Sequence, residues 1–389
     1  MPAPITLLPI ARTTPTLWSQ MRICGLRASL AANPEADRWV LHDPRAWLGT
    51  SFHRVMQAAQ SGASRVDVET AWSAAIVHAA EAASLHPLDA RFSQPERWPS
   101  YYLVRQRALS LASEHIQPAP HGSGTTPRQS GTPRSLERLL EARGGRLAGR
   151  PDHFDGKTLT EYKSSLPDAT WPRAAEILDG YKRQVRLYAA IIADALGVWP
   201  SRARVIAASG NVLEIPVDPS ICNAEVDAAL AALDALNHTL ASGMRAEELA
   251  SPSATACSGC PFTLICPAFW RGLTESSLQG LTDVSLQGIL ESVEAGPDGD
   301  LYTADILVRC STSELTGKQQ VALRKSIHGD LFLSATGSLC RIVDGKRRPD
   351  GRIRADISTI VSAVSALPGI RNSVDSAEML RRPAVQQTI

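Results

Sequence analysis

The segment from residue 146 to residue 164 most constrains the fold, because it holds two strand-like runs separated by Asp155-Gly156. An Asp-Gly pair suits a tight two-residue turn and is the strongest short-range signal for a β-hairpin. Side chains alternate between faces along a strand, so Glu161 and Lys163 are expected on one face, with Asp152 nearby on the neighbouring strand. The segment therefore predicts a hairpin that gathers two carboxylates and a lysine.

Helices and further strands surround this hairpin. Helices are expected at Ala46–Gln60, Val66–Ala83, Tyr101–Ala112, Pro172–Leu196 and Asn223–Met244, and strands at Leu136–Leu140, Arg146–Phe154, Thr158–Ser164, Arg204–Ser209 and Val212–Val217. This order indicates an α/β core with helical decoration over residues 1–275. The Gly/Ser/Thr/Pro-rich stretch 117–134 is expected to be a flexible insertion.

The pattern changes in residues 276–389, where short β-rich runs alternate with Gly, Asp and Pro. Strands are expected at Val284–Val293, Leu301–Cys310, Leu331–Ala335, Leu339–Val343 and Arg352–Val361, with one helix at Ser313–Ser326. Five strands with one inserted helix predict a small β-barrel, OB-like in type. Such a barrel could bind single-stranded DNA through its basic residues, or could dock a protein partner with those charges simply solvated.

The overall charge excludes some functions and leaves others open. Lys and Arg number 40 against 39 Asp and Glu, which excludes nucleic-acid binding by bulk positive charge but not by a local basic groove. No run of 18 apolar residues occurs, so no membrane span is expected. The absence of a GxxxxGK[ST] loop indicates that the chain is not its own ATP motor. Seven cysteines without a recognisable signal peptide favour the reducing cytoplasm.

The hairpin residues have the chemistry of a metal-dependent hydrolase. Asp152 and Glu161, with the Tyr162 carbonyl between them, offer hard oxygen ligands suited to Mg²⁺ or Mn²⁺. Lys163 lies close enough to orient a water or to balance phosphate charge, as metal-assisted phosphodiester hydrolysis requires. The alternative is a solvated hairpin whose acids and lysine pair with each other at the surface.

Two weaker signals come from helices. Gln184 and Tyr188 are four residues apart and share a helix face with basic neighbours, so they could hold a nucleic-acid backbone. The alternative is an amphipathic helix with a charged outer face. His53, near the start of the early helix, is a candidate metal ligand or phosphate contact, or a structural histidine.

Three cysteines within ten residues, Cys257, Cys260 and Cys266, form a CxxC pair followed by a third thiol. The distant Cys24 could supply a fourth thiolate. Such a set suits zinc or an iron–sulfur cluster, and the single CxxC with two dispersed partners favours the cluster. Buried free cysteines with no ligand are the alternative.

The motifs together resemble the PD-(D/E)XK nuclease superfamily, and within it the RecB-like branch that carries an iron–sulfur cluster. CRISPR-associated exonucleases and AddB-type nuclease domains belong to this branch. The matching residues follow the family's order from about residue 17 to residue 269: Cys24, the GxxxH histidine His53, the GxxD aspartate Asp152, the ExK pair Glu161 and Lys163, the QxxxY pair Gln184 and Tyr188, and the CxxCxxxxxC cysteines Cys257, Cys260 and Cys266. The insertion at 117–134 and the C-terminal β domain lie outside this motif set.

The resemblance implies a Mg²⁺-dependent deoxyribonuclease that cuts single-stranded DNA or DNA ends, with an exonuclease favoured. It implies that His53, Asp152, Glu161 and Tyr162 serve the metal site, that Lys163 positions the attacking water, and that Gln184 and Tyr188 position the strand. A 4Fe–4S cluster on the four cysteines would be structural. DNA repair, recombination or phage defence, and a helicase or other protein partner, are the expected settings. The alternative function is a catalytically silent DNA-binding or assembly subunit of a helicase–nuclease complex. An iron–sulfur electron-transfer or sensor protein is a third possibility.

Overall fold

The fold is described from a computed structural model, which covers residues 2–116, 138–168, 170–171, 173–275, 278, 280–312, 315–329 and 336–372. The predicted flexible insertion at 117–134 and the predicted strand Leu331–Ala335 lie outside the described residues. Among the described helices, none combines the length and the apolar character needed to cross a bilayer.

Helices and strands alternate along the chain. The helices are α1 Pro15–Ile23, α2 Gly25–Ala31, α3 Pro44–Gln60, α4 Arg65–Leu85, α5 Tyr101–His115, α6 Ala174–Leu196, α7 Pro219–Ala241, α8 Ala254–Cys257, α9 Pro267–Thr274 and α10 Lys325–His328. The strands are β1 Ile5–Leu7, β2 Leu140–Ala142, β3 Leu147–Gly149, β4 His153–Phe154, β5 Thr158–Lys163, β6 Arg202–Ala207, β7 Val212–Ile215, β8 Val284–Ala295, β9 Leu301–Ser311, β10 Lys318–Arg324, β11 Leu339–Arg347, β12 Ile353–Arg354, β13 Ile360–Ala363 and β14 Ile370–Asn372.

The central sheet has the order β4-β5-β6-β7. The predicted hairpin is confirmed: β4 and β5 pair antiparallel, and the Asp155 carboxylate accepts hydrogen bonds from the backbone N–H groups of Lys157 at 2.8 Å and Thr158 at 2.6 Å. Gly156 adopts a φ of +92°, which glycine tolerates without strain. Strand β5 then pairs parallel with β6 through the α6 crossover. The hairpin is therefore one edge of a mixed α/β sheet.

Helices cover both faces of this sheet. Successive residues of β5 and β6 point to opposite sides, and apolar residues on each side pack against a different set of helices. Leu159 and Val205 pack in a core with α1, α6 and α7, whereas Tyr162 and Ile206 pack in another core with α3, α4 and α5. The predicted helix that ends at Gly197 is confirmed as α6, and Gly197 closes it in the left-handed conformation. Glu161 shares the parity of Leu159 and so faces α6.

The single strand expected at Arg146–Phe154 is wrong. The segment forms two short strands in different sheets: β3 pairs with β2, and β4 pairs with β5. Pro151 lies between them and has no N–H group for a ladder, so pairing stops at this point. Asp152 therefore lies at the junction of two sheets. The strand expected at Leu136–Leu140 starts later, as β2, and residues 136 and 137 lie outside the described residues.

The C-terminal strands close into a five-stranded barrel, as expected. The ring runs β8-β9-β10-β12-β11 and returns to β8, with β13 added alongside β11. The predicted helix Ser313–Ser326 is wrong, because its residues 318–324 form strand β10, paired antiparallel with β9. The buried Val321 and Leu323 alternate with more exposed neighbours, which is the period of a strand. The predicted strand Arg352–Val361 is divided into β12 and β13.

The barrel packs against the N-terminal α/β part of the chain. Strand β1 pairs parallel with β14, and one buried core contains residues from α1, α2, α9 and the barrel. The Arg341 guanidinium lies 4.7 Å from the Trp270 ring centroid and donates to the Leu264 carbonyl at 2.7 Å. Arg91 donates to the Ile357 carbonyl at 2.7 Å. The two parts expected at 1–275 and 276–389 thus share buried contacts.

Candidate active site and cysteine cluster

Asp152 connects the hairpin to helix α3. One carboxylate oxygen accepts the backbone N–H of Tyr162 at 2.7 Å, and the other lies 2.9 Å from Nδ1 of His53. Burial is the largest single influence and opposes ionisation of Asp152, but the hydrogen bond and charge of His53, the Tyr162 N–H and the charge of Lys163 together lower the carboxyl pKa. Burial likewise disfavours the charged imidazole, yet Asp152 raises the pKa of His53. The two side chains therefore stabilise each other in their charged forms.

Glu161 is the most enclosed acid of the site, at 2% exposure. Its Oε1 accepts hydrogen bonds from Nζ of Lys163 and from Nε2 of Gln184, both at 2.8 Å. Its Oε2 is buried and has no hydrogen-bond partner among the described residues. Burial, with the nearby charge of Asp152, raises the pKa of Glu161 to about 7 despite the opposing charge of Lys163. The site thus holds one buried carboxylate oxygen that a proton or a metal cation would satisfy.

Lys163 lies beside this carboxylate with its side chain 19% exposed. Burial opposes its charge, but the neighbouring Glu161 carboxylate raises its pKa. Its ammonium also lies 5.3 Å from the Tyr181 ring centroid, in a cation–π contact. Lys163 therefore stays cationic at the mouth of the site. Tyr181, on α6, is a site residue that sequence reasoning missed, because nothing local couples it to a strand eighteen residues earlier.

Gln184 and Tyr188 lie on the same face of α6, as their spacing predicts. The Gln184 amide donates to Glu161, and it lies 3.4 Å from the Tyr188 hydroxyl. Tyr188 is buried, and burial raises its pKa well above the usual range. A Cβ on Gly149 would lie 2.8 Å from the Tyr188 ring, so glycine is required where β3 meets this helix. In the structure Gln184 positions the Glu161 carboxylate, and its contact with a DNA strand remains a prediction.

Tyr162 separates the two acids and points its side chain to the opposite face of the sheet. Its ring packs edge-on against Phe52 of α3, 5.9 Å between centroids, and its hydroxyl accepts a hydrogen bond from the Gln60 amide. Gln60 was also missed, since its role depends on how α3 lies across the sheet. These contacts hold β5 against the helix that carries His53. The geometry therefore brings together His53, Asp152, Tyr162, Glu161, Lys163, Gln184 and Tyr188.

These residues fit a divalent cation. Two carboxylates, one ionised and one with an unpartnered buried oxygen, form a hard-oxygen site of the kind that Mg²⁺ and Mn²⁺ prefer. A cation would remove the desolvation penalty that raises the pKa of Glu161. When bound, it would supply Lewis-acid activation of a phosphodiester and of water. The chain's own lysine would stabilise the negative charge that develops on the phosphate.

The four predicted cluster cysteines meet in space. Cys24 lies between α1 and α2, Cys257 ends α8 and Cys266 caps the N-terminus of α9; together with Cys260 they line one cavity. The Ser251 N–H donates to the Cys24 sulfur at 3.5 Å. Burial raises the pKa of Cys260 to about 11 and that of Cys266 to about 12. The thiols of Cys260 and Cys266 would therefore be held as thiolates at neutral pH only by a metal or cluster.

The other three cysteines lie elsewhere in buried positions. Cys222 is part of the core beneath α6 and α7, Cys310 lies near the Trp270 carbonyl, and Cys340 lies 3.3 Å from the Gly288 carbonyl. None of them lines the cavity of the four cysteines. The structure thus separates the seven thiols into a group of four and three isolated residues, as the sequence predicts.

Comparison with known families assigns the chain to a class. The family model of the PD-(D/E)XK nuclease superfamily matches residues 12–267, which is more than half of the chain. The chain therefore belongs to the PD-(D/E)XK nuclease superfamily, whose members are metal-dependent nucleases with a restriction-endonuclease-like fold. Membership implies DNA as the substrate and divalent metals such as Mg²⁺ as cofactors. No curated protein matched the chain in a sequence search.

Proposed function

We propose that the protein is a Mg²⁺- or Mn²⁺-dependent deoxyribonuclease of the RecB-like branch that cuts single-stranded DNA or DNA ends, as an exonuclease. The observation that carries the proposal is the buried, unpartnered Oε2 of Glu161 beside the ionised Asp152 and the cationic Lys163. A purely structural ion pair gains nothing from an orphaned buried oxygen, whereas a metal site uses it. The proposal therefore favours catalysis over a silent assembly role.

Each side chain has a distinct proposed role. Asp152 and Glu161, with the Tyr162 carbonyl, would hold the metal, and His53 would support it through its hydrogen bond to Asp152. Lys163 would orient the attacking water and stabilise charge on the phosphate. Gln184 would hold Glu161 in place and, with Tyr188, would position the substrate strand.

The four cysteines support a 4Fe–4S cluster over zinc. The four cysteines line one cavity, with a single CxxC pair and two partners dispersed along the chain, whereas structural zinc usually uses two such pairs. By joining Cys24 to the segment after α8, such a cluster would close a loop of more than two hundred residues and would act structurally.

We also propose an OB-like identity for the C-terminal barrel. Strands β8, β9 and β10 form a meander, β11 pairs back onto β8, and β12 closes the ring parallel to β10. A five-stranded closed barrel of this kind often binds single strands. It could equally dock a helicase or another protein partner. A role in DNA repair, recombination or phage defence, and a cytoplasmic location, complete the proposal.

The nuclease proposal is tested with end-labelled single-stranded and duplex oligonucleotides, with Mg²⁺ or with EDTA. Wild type is expected to shorten the labelled strand only with metal, and Asp152→Ala and Lys163→Ala are expected to lose activity by orders of magnitude while remaining folded. Lys157→Ala, an exposed lysine in the turn of the same hairpin, is the matched control and should cut normally. Binding without cleavage by folded wild type would favour the silent DNA-binding subunit.

The cluster proposal is tested by anaerobic purification. The protein should be brown, with about four iron and four acid-labile sulfide per chain. Cys24→Ser should lower the iron content, whereas Cys222→Ser should leave it unchanged because Cys222 lies in a different core. A colourless, zinc-containing protein without sulfide would overturn the cluster, and unchanged iron in Cys24→Ser would overturn the long-range ligand.

A further inference from the structure

His42, His86 and Asp89 form a second cluster of metal-ligating groups outside the catalytic hairpin and outside the cysteine cavity. One ligand atom from each residue lies within 4.8 Å of the other two. His42 immediately precedes Asp43, the N-cap of α3, and His86 caps the C-terminus of α4. Asp89 follows in the next turn and is only 1% exposed. The cluster therefore lies where the α3–α4 pair opens onto neighbouring loops.

Both imidazoles converge on the same carboxylate oxygen. Nδ1 of His42 lies 2.5 Å from Oδ2 of Asp89, and Nδ1 of His86 lies 2.9 Å from it. The two imidazole rings meet edge to face with centroids 5.3 Å apart. Oδ1 of Asp89 is buried without a hydrogen-bond partner among the described residues. The two Nδ1 atoms and the Asp89 carboxylate therefore lie together, and only one of the two carboxylate oxygens has polar contacts in the described part of the chain.

The hydrogen bonds of His86 indicate which nitrogen is free to act as a ligand. Its Nε2 lies 3.1 Å from the Asp37 carbonyl, which can only accept, so Nε2 carries a proton. The backbone N–H of Leu88 points at Nδ1 from 3.3 Å, as a donor would toward a lone pair. A lone pair on Nδ1 facing the Asp89 carboxylate is repulsive unless a cation lies between them. A histidine whose outer N–H is held by a carbonyl is the usual arrangement around a bound metal.

We propose that His42, His86 and Asp89 bind a divalent transition-metal ion of the zinc class, independently of the catalytic metal and of the cysteines. Two imidazoles and one carboxylate are borderline ligands that suit Zn²⁺, in contrast to the all-oxygen set of the hairpin. A tetrahedral zinc ion separates neighbouring N and O ligand atoms by roughly 3.3 Å. Oδ2 of Asp89 lies 2.5 Å and 2.9 Å from the two Nδ1 atoms, so it would have to move away from each of them by less than about an ångström. The His42 side chain is 36% exposed, which leaves a route for the ion and room for a water as fourth ligand.

The expected consequence is structural. The ion would join the start of α3 to the end of α4, the two helices that cover the Tyr162 face of the sheet. His53 lies eleven residues beyond His42, about 16 Å along a helix, so the ion would not touch the catalytic carboxylates. It would hold the helix that presents His53 to Asp152.

Zinc retention by the intact protein tests the site. Wild type, His42→Gln and His86→Gln are dialysed with Zn²⁺, then against a weak chelator, and the zinc per chain is counted. His78→Gln, an exposed histidine on α4, is the matched control. Wild type and His78→Gln should each retain one zinc ion more per chain than His42→Gln and His86→Gln. Zinc should also raise the melting temperature of wild type but not that of His42→Gln. Equal zinc in all four proteins would overturn the proposal and would leave His42 and His86 as polar contacts of the buried Asp89.

Cobalt substitution provides a spectroscopic readout of the ligand atoms, which wild type alone already supplies. Co²⁺ in a site of nitrogen and oxygen ligands gives visible d–d bands, whereas thiolate ligands add an intense sulfur-to-cobalt charge-transfer band in the near ultraviolet. The visible bands of the nitrogen and oxygen site should appear in wild type and His78→Gln and should be absent from His42→Gln, whereas any charge-transfer band comes from the cysteine cavity and should be equal in all three proteins. Visible bands that persist unchanged in His42→Gln would overturn the assignment.

Discussion

Replacing Glu161 by glutamine is expected to remove a pH-dependent loss of stability from the metal-free enzyme. Burial raises the pKa of Glu161 from 4.5 to about 7 in the folded chain. A raised carboxyl pKa contributes stability that is complete below the unfolded pKa and is lost as the pH rises through the folded value. At about 1.4 kcal/mol per pH unit, the interval between the two pKa values corresponds to on the order of 3 kcal/mol.

The assay is urea unfolding followed by circular dichroism in EDTA, at about pH 5 and about pH 9. The free energy of unfolding of Glu161→Gln minus that of wild type should rise by about 3 kcal/mol between these two pH values. Glutamine keeps an oxygen to accept from Lys163 and Gln184 and carries no charge to desolvate. Groups that Glu161 does not contact contribute equally to the two proteins and cancel in the difference. The pKa values of Lys163 and His53, which the Glu161 carboxylate raises, are lower in Glu161→Gln, so the titrations of these two groups are followed in both proteins.

Two controls make the test specific. Glu81→Gln, on the exposed side of α4, should give the same difference at both pH values because its side chain is in solvent. Adding Mg²⁺ should stabilise wild type at high pH but not Glu161→Gln, because the ion would compensate the buried charge of Glu161. A difference between Glu161→Gln and wild type that stays constant from pH 5 to pH 9 would refute the argument that burial of Glu161 creates the cation site.

Two further predictions concern stability. Gly149→Ala should lower the free energy of unfolding by about 1–3 kcal/mol, because the new Cβ would lie 2.8 Å from the Tyr188 ring; an unchanged urea midpoint would contradict that close approach. Asp344→Asn should stabilise the protein above about pH 7, by up to roughly 3 kcal/mol, and should have little effect near pH 4, because burial raises the pKa of Asp344 to about 6 in the folded chain. Asparagine tolerates the positive φ of +61° at this position. Because a backbone effect does not depend on pH, a gain in the free energy of unfolding that is the same at both pH values would contradict the role of the buried charge.

Much of the candidate site could be predicted from local rules. The Asp155-Gly156 turn sets the register of the hairpin, and strand alternation then places Glu161 and Lys163 on one face. The i, i+4 spacing places Gln184 and Tyr188 on one face of α6. These relations depend on bond geometry over a few residues, so they hold in any fold that contains the segments.

Local rules failed where the same residues suit two structures. The sequence of β10 has the composition of a helix, and only pairing with β9 and burial of Val321 and Leu323 make it a strand. In β10, tertiary pairing overrides weak local propensity. The break between β3 and β4 is different, because Pro151 has no N–H for a ladder and the chemistry of a single residue accounts for it.

The sequence by itself determined which side chains could do chemistry, and the tertiary structure decided their state. Cysteine spacing identified three candidate ligands, but only the packing of the extended residue between α1 and α2 brings Cys24 to the same cavity. The sequence placed Glu161 near a lysine, but only its enclosure leaves Oε2 unpartnered and raises its pKa. The physical reason is that desolvation and long-range contact depend on what other segments pack around a group, and neighbours along the chain do not specify those segments.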